Sequence, residues 1–390
     1  MLNNREKIYW LAWSHIKGLG ATSIKKIYEN FGSLQKAWEI SAQELLTVDG
    51  IGHKLCQTIQ DQRNKIDPEK LFEQHIAKNP LFWTPNDALY PSLLLEIPSY
   101  PCALYYKGQV KESENKGISP LIGIVGTRKP TEHGRRWTYK ISKALAQKGF
   151  TVVSGLAEGI DAVAHQGCLD GGGRTIAVLG NGLDRVYPAS NSALMAKIEQ
   201  KGLIITEYAY GSRPERGNFP ARNRIVAGMC RAILVMEAPE KSGALITAHY
   251  ATEFNRDVYT LPNTPDNLQA RGCLRLIHKG AEVIVTEDEL LSSLGVIPEL
   301  DQSPQLSLFP IANTLEPSNK FSLPTKIQAP EINLEPPLSI VYSAIAIEPT
   351  PLDRIVQKSG LSTGEVSGIL LQLELDGLIT QLPGMMYLKN

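Results

Sequence analysis

Short apolar runs alternate with amphipathic stretches through the middle of this chain. LIGIVG, TVVSG, TIAVLG, LIITE, AILVMEA and DVYTLP follow one another between residues 121 and 262. Segments such as GRRWTYKISKALAQKG and NSALMAKIEQKG lie between them, with apolar positions at helical spacing. This alternation predicts a parallel sheet with helices on both faces, over residues 121–298. Glycines at or just past the strand ends (Gly126, Gly155 and Gly180) mark tight turns or close backbone approach by a ligand.

The flanks carry other patterns. Residues 1–80 read as short helices: IYWLAWSHI, ATSIKKIYENF and HKLCQTI are apolar at helical spacing. Lys17-Gly18-Leu19-Gly20 and Asp49-Gly50-Ile51-Gly52 interrupt them. Each resembles the hairpin of a helix-hairpin-helix module, and each is equally readable as a tight turn in a small helical bundle. Residues 81–120 are broken by prolines 85, 91, 98 and 101 and read as a connecting segment, with ALYYKG as a short strand. Residues 299–336 are proline-rich without apolar periodicity, a linker. Residues 337–390 predict three helices and a two-stranded wing around Pro383-Gly384, the pattern of a winged helix. The expected fold class is therefore α/β: a Rossmann-like parallel sheet flanked by an N-terminal all-α unit (helix-hairpin-helix or SAM-like) and a C-terminal winged helix.

Charge changes the picture in one place. The 390 residues balance at zero, but residues 121–280 hold 21 Lys+Arg against 13 Asp+Glu, +8. A polyanionic partner is expected for that part alone. The third helix of the winged unit has no Lys or Arg and carries Glu365, Glu374 and Asp376, so protein contact is favoured there over DNA reading. No apolar run reaches the roughly 18 residues of a membrane helix. The charged N-terminus and five scattered cysteines without CxxC spacing fit a cytoplasmic protein with reduced thiols.

Enzymatic signatures are thin. The first turn, Gly123-Ile124-Val125-Gly126-Thr127-Arg128, lacks dinucleotide glycine spacing, and the second strand ends without a ribose-binding acid. No GxxxxGK[ST] occurs, and the histidines show no zinc spacing, so neither cofactor nor metal is expected. Asp161 and His165 stand four apart on one helix face, either an acid–base pair or a structural pair whose Asp fixes loop N–H groups. What remains is a set of phosphate-friendly positions at the strand ends. These are Gly126, Thr127 and Arg128 after the first strand, Ser154 and Gly155 after the second, and Gly180 after the third. Arg222, Asn223 and Arg224 precede the fifth strand, and Lys241, Ser242 and Gly243 open the helix after it. Strand ends and helix starts of such sheets are where anions settle. Phe219, among the charges, either stacks on a base or plugs its helix onto the sheet.

In order, VGTRKPTEHG, SGLAEGIDAVAHQG, VLGNGLDRVYP, ITEY, FPARNRIVAG and VMEAPEKSGALITAHYA resemble the DNA-processing protein A family (DprA, also called Smf), densely over residues 121–285. The resemblance implies an extended Rossmann fold that binds single-stranded DNA, delivers RecA recombinase onto it during natural transformation, and forms a homodimer. It implies no enzymatic turnover. Arg128 matches the family's GSR arginine, with Thr127 for serine; Arg222, Asn223 and Arg224 match its RNR; Lys241, Ser242 and Gly243 match its KSG. Three departures stand out: Glu158 where the family has arginine, Asn263 after Pro262, and Met229-Cys230 after RNRIVAG. Two alternatives remain open: a nucleotide-binding enzyme of the phosphoribohydrolase type, and a scaffold acting through the winged helix.

Overall fold

The structure is a computed structural model that describes residues 2–79, 81–295, 336–346, 350–376, 378–382 and 386–389. The linker expected over 299–336 lies outside the described residues except for its last position, and the Pro383-Gly384 turn lies outside them too. The chain divides into two compact units, Met1–Leu306 and Ser307–Asn390.

Nine strands form the sheet of the larger unit: β1 (Phe82–Trp83), β2 (Leu104–Gly108), β3 (Leu121–Val125), β4 (Thr151–Ser154), β5 (Thr175–Leu179), β6 (Leu203–Thr206), β7 (Ala232–Val235), β8 (Asp257–Thr260) and β9 (Glu282–Val283). Their order is β1-β2-β6-β5-β4-β3-β7-β8-β9. The strands from β3 to β9 are parallel, and β1 and β2 add antiparallel at the β6 edge. Residues 81–120 are thus more than a connection. They extend the sheet, with Tyr105 paired to Thr206 and Trp83 stacked on Tyr106 at 3.9 Å between ring centroids. β3 to β7 are buried along their whole length, which is why each reads as an unbroken apolar run rather than an alternation. The order reverses between β3 and β7, so their carboxyl ends open the crevice where a sheet of this type ordinarily receives its ligand.

Five helices follow these strands: α1 (Glu132–Gln147), α2 (Ile160–Asp170), α3 (Ser192–Lys201), α4 (Asn218–Met229) and α5 (Gly243–Glu253). The N-terminal helices pack Trp10, Trp13, Ile24, Ile27 and Ile59 into a core shared with Ile225 and Val226 of α4. Their two glycine hairpins interlock. Gly18 approaches Leu55, Gly50 approaches Lys26, and both glycines adopt positive φ (+83° and +86°) that a side chain would strain.

The smaller unit has three helices, Leu338–Ala344, Leu352–Ser359 and Thr363–Leu375. Its three-stranded antiparallel sheet consists of Thr350–Pro351, Met386–Lys389 and Ile379–Leu382 in that order. Val341, Ile355, Val366, Leu370 and Leu373 fill its core. Glu365 closes a capping box with Ser362, so one of the third helix's three acids secures the helix start.

Candidate functional site

The crevice between β3 and β7 is filled by the chain's own carboxylate. Glu237, just past β7 and 1% exposed, accepts hydrogen bonds from the Thr131 N–H (2.7 Å) and Thr131 Oγ1 (2.8 Å) at the start of α1. Its carbonyl accepts from the Thr127 N–H at 2.7 Å. Gly134 is required in the first turn of α1, because a Cβ there would meet Glu237 Oε2 at 2.5 Å. A nucleotide phosphate would have to occupy the space this carboxylate fills.

A second internal anion sits at the end of β4. Asp161 Oδ2 accepts from the backbone N–H groups of Gly155 (3.1 Å) and Ala157 (3.4 Å). Gly155 is among the positions that the sequence offers to a phosphate. Ser154 is also committed, since its hydroxyl donates to Ile124 O at 2.6 Å inside the sheet.

Arg222 balances Asp161 from beneath. It is 4% exposed, and its Nη1 donates to Gly155 O at 2.8 Å and to Val178 O. A Cβ on Gly155 would lie 2.3 Å from Nη2, so the glycine admits the guanidinium. Burial lowers the Arg222 pKa and raises that of Asp161, while each charge opposes the other's shift. The sequence sets Arg222 among the phosphate-friendly positions at the strand ends; in the structure its side chain is buried. On α4, residues 222, 225, 226 and 229 are all buried at helical spacing, so Arg222 points inward with the apolar stripe. Its neighbours are engaged as well. Asn223 Nδ2 donates to Gly243 O at 3.2 Å and ties α4 to the start of α5. Arg224 donates to both oxygens of Glu207, at 3.1 and 2.7 Å.

Asp161 and His165 do not form an acid–base pair. His165 Nδ1 contacts Thr175 Oγ1 at 2.7 Å, and that hydroxyl donates to Val152 O. The hydroxyl therefore accepts, which puts the imidazole proton on Nδ1. Burial, aided by the Arg222 charge, pulls the His165 pKa down to about 3.

Above these internal ions the surface is cationic and aromatic. Thr127 is buried, its Oγ1 accepting from the Lys129 N–H, and this turn projects Arg128 outward. Arg128, Lys129, Arg213, Arg216 and Lys241 are exposed, and none of them has an ion pair with a described residue. The loop carrying Arg213 and Arg216 is laid on the turn after β5, with Gly182 N–H donating to Ser212 O and Gly211 N–H to Asp184 Oδ1. Ser242 caps α5, accepting from the Ala244 N–H, and leaves Lys241 just outside the helix. The Arg128 guanidinium lies 5.7 Å from the centroid of Phe219. Phe219 rests on Gly180, where a Cβ would be 2.9 Å from the ring, and contacts Tyr187 at 5.3 Å between centroids. Arg128, Gly155, Ala157, Glu158, Tyr187, Pro188 and Phe219 enclose a pocket of about 90 Å³. The sequence reading missed Lys129, Tyr187, Arg213, Arg216 and Glu237. The first four lie in or beside loops that only the tertiary fold brings to this edge.

Sequence comparison now adds to this geometry. Residues 81–295 match the profile of DNA recombination-mediator protein A, and residues 325–385 match the DprA winged helix domain. The chain belongs to the DNA recombination-mediator protein A family. It is 53% identical to the Smf protein of Synechocystis sp. over 99% of this chain and 100% of that relative. It is 39% identical to the DNA processing protein DprA of Streptococcus pneumoniae, covering 64% of this chain and 87% of that one. The X-ray structure of DprA from Streptococcus pneumoniae superimposes with a TM-score of 0.64 at 32% identity, over 73% of this chain and 97% of the other. The Rossmann-like sheet and the winged helix read from the sequence are thus the architecture of a DprA protein. Among the described residues, no helix is long and apolar enough to cross a membrane.

Proposed function

We propose that this DprA-family protein binds single-stranded DNA along the carboxyl edge of its parallel sheet and works as a binding protein rather than an enzyme. One observation carries the reading: five exposed basic side chains with no ion pair among the described residues share that edge with the Phe219–Tyr187 pair, while the carboxylates of Glu237 and Asp161 take up the backbone donors of the adjoining turns. Side-chain cations suit a flexible phosphodiester backbone, and exposed Tyr187 beside half-buried Phe219 suits unstacked bases. Arg128, Lys241, Phe219 and the turn residues Gly126, Thr127, Gly155 and Gly180 belong to this interface. Arg222, Asn223, Arg224, Ser154, Ser242 and Gly243 shape it from behind.

The crevice argues against the phosphoribohydrolase alternative, because the Glu237 side chain, held by Thr131 and Asn267, lies in it. Membership of a recombination-mediator family supports a further role, delivery of the bound strand to RecA recombinase during natural transformation, by a homodimer. The winged helix, with no Lys or Arg on its third helix, is assigned to protein contact.

Fluorescence anisotropy with a labelled oligonucleotide tests the binding reading. Affinity is expected to fall steeply with salt, with a log–log slope of about −0.7 per phosphate contacted. Base release from nucleoside monophosphates, with no strand binding, would favour the enzyme instead.

A further inference from the structure

We propose that Tyr210 is a second stacking platform for the bound single strand, set at the β6 end of the carboxyl edge and apart from the Phe219–Tyr187 pair. The inference rests on the single-strand reading above and lengthens the path that the strand takes across the edge.

Tyr210 is exposed on a backbone that is held from several directions. It lies in the loop that leaves β6 and is 39% exposed. The Tyr210 N–H donates to Asn79 Oδ1 at 2.8 Å, which ties the loop to the segment before β1. The neighbouring Gly211 N–H donates to Asp184 Oδ1 at 2.9 Å, and the Gly182 N–H donates back to Ser212 O at 3.1 Å. Gly182 comes so close that a Cβ on it would be 2.6 Å from Ala209 O and 3.3 Å from Tyr210 Cα. The fold thus fixes the main chain at this point and leaves an aromatic residue in solvent.

The surroundings suit a nucleic-acid strand. Arg213 and Arg216 follow on the same loop, exposed and without an ion pair among the described residues, with Glu215 as the one acid between them. The turn that receives the loop leads into Tyr187, which is 41% exposed and packs on Phe219. Aromatic residues and cations therefore share two loops that are bonded to each other. That combination holds a strand by stacking and phosphate contact without reading its sequence.

Sheet order gives the path its length. Lys241 stands past β7 and Tyr210 past β6, with β5, β4 and β3 between those strands. Four inter-strand spacings amount to about 19 Å. Different nucleotides of one strand would reach the two ends, so the base at Tyr210 is not the one at Phe219.

The test uses the full-length protein and labelled oligo(dT) of about 15 nucleotides, titrated by fluorescence anisotropy at several salt concentrations. Tyr210→Ala is expected to bind about fivefold more weakly than the wild type at every salt concentration, the lower end for one stacked base. Its salt slope should equal that of the wild type, because a ring contributes no phosphate contact. Tyr210→Phe keeps the ring and should bind as the wild type does. A melting curve accompanies each variant; if Tyr210→Ala melts early, Tyr210→Leu, which keeps apolar bulk without the aromatic face, takes its place with the same expected loss. Unchanged affinity without the ring overturns the platform. So does a loss accompanied by a smaller salt slope, which would mean that the loop cations had been displaced, and so does an equal loss in Tyr210→Phe, which would assign the contact to the hydroxyl. Each of these leaves single-strand binding standing. A wild type that does not bind the strand overturns the single-strand reading, and the platform with it.

Discussion

Replacing Arg222 with alanine separates architecture from contact at this site. Arg222 sits in a run, RNR, that suggests a phosphate grip, but its guanidinium is buried and donates to Gly155 O and Val178 O. Alanine removes both donors and the cation that faces buried Asp161. Losing these leaves the two carbonyls without their donor, at about 1–3 kcal/mol each, and leaves Asp161 without the cation that opposes the effect of its burial. For a unit of this size that lowers the melting temperature by on the order of 10 °C. The assay is a melting curve together with single-strand titrations at two salt concentrations, run well below the transition. Arg222→Ala should melt early, while the salt slope of the remaining folded protein stays at the wild-type value. Arg222→Lys, which keeps the charge without the fork of donors, should recover only part of the stability. A variant that melts like the wild type but loses one unit of phosphate contact would refute this reasoning and return Arg222 to the surface.

Arg128→Ala and Lys241→Ala should behave in the opposite way, because each removes an exposed charge. Affinity should fall roughly tenfold for each, with the salt slope smaller by about one contact and the melting temperature nearly unchanged; anisotropy and calorimetry check the two halves. Phe219→Ala removes both a stacking face and the ring that rests on Gly180. Affinity should drop by about 1–3 kcal/mol per stacked base, and Phe219→Leu should restore stability without restoring affinity. His165 gives a pH signature: its folded pKa of about 3 lies below the unfolded value near 6.5. Between these values the unfolded chain binds the proton and the folded one does not, so stability falls as the pH drops through that window. The unfolding free energy from denaturant titrations between pH 7 and pH 4 should decline by up to about 1.4 kcal/mol per pH unit from this group, and His165→Gln should flatten that component.

The five strands β3 to β7 were legible because each is buried on both faces and reads as a short apolar run. β1 was not, because two residues among prolines carry no periodicity and it exists only by pairing with β2. The site was legible as a set of loops, but not in how those loops divide the work. RNR looks uniform in sequence. A helix turns each residue by about 100°, which sends Arg222 into the core with Val226 and Met229 and leaves Arg224 to Glu207. The helical stripe was a readable signal for Arg222; the Arg224–Glu207 pair joins two elements and was not. Glu237 was hidden inside the run AILVMEA, where an acid at the end of an apolar strand marks an internal cap for the next layer. Gly155 and Gly180 were read as tight turns or as close approach by a ligand; what approaches them in the structure is Arg222 in one case and Phe219 in the other.

The central claim is that exposed cations at the carboxyl edge of the sheet grip a single strand. It is tested most directly by the salt dependence of oligonucleotide affinity for the wild type and the Arg128→Ala/Lys241→Ala double variant, with a duplex of equal length as control. The account predicts a steep wild-type slope, a double-variant slope reduced by about two contacts with the fold retained, and weaker duplex binding. An identical slope in the double variant, or tighter binding of the duplex, would contradict it.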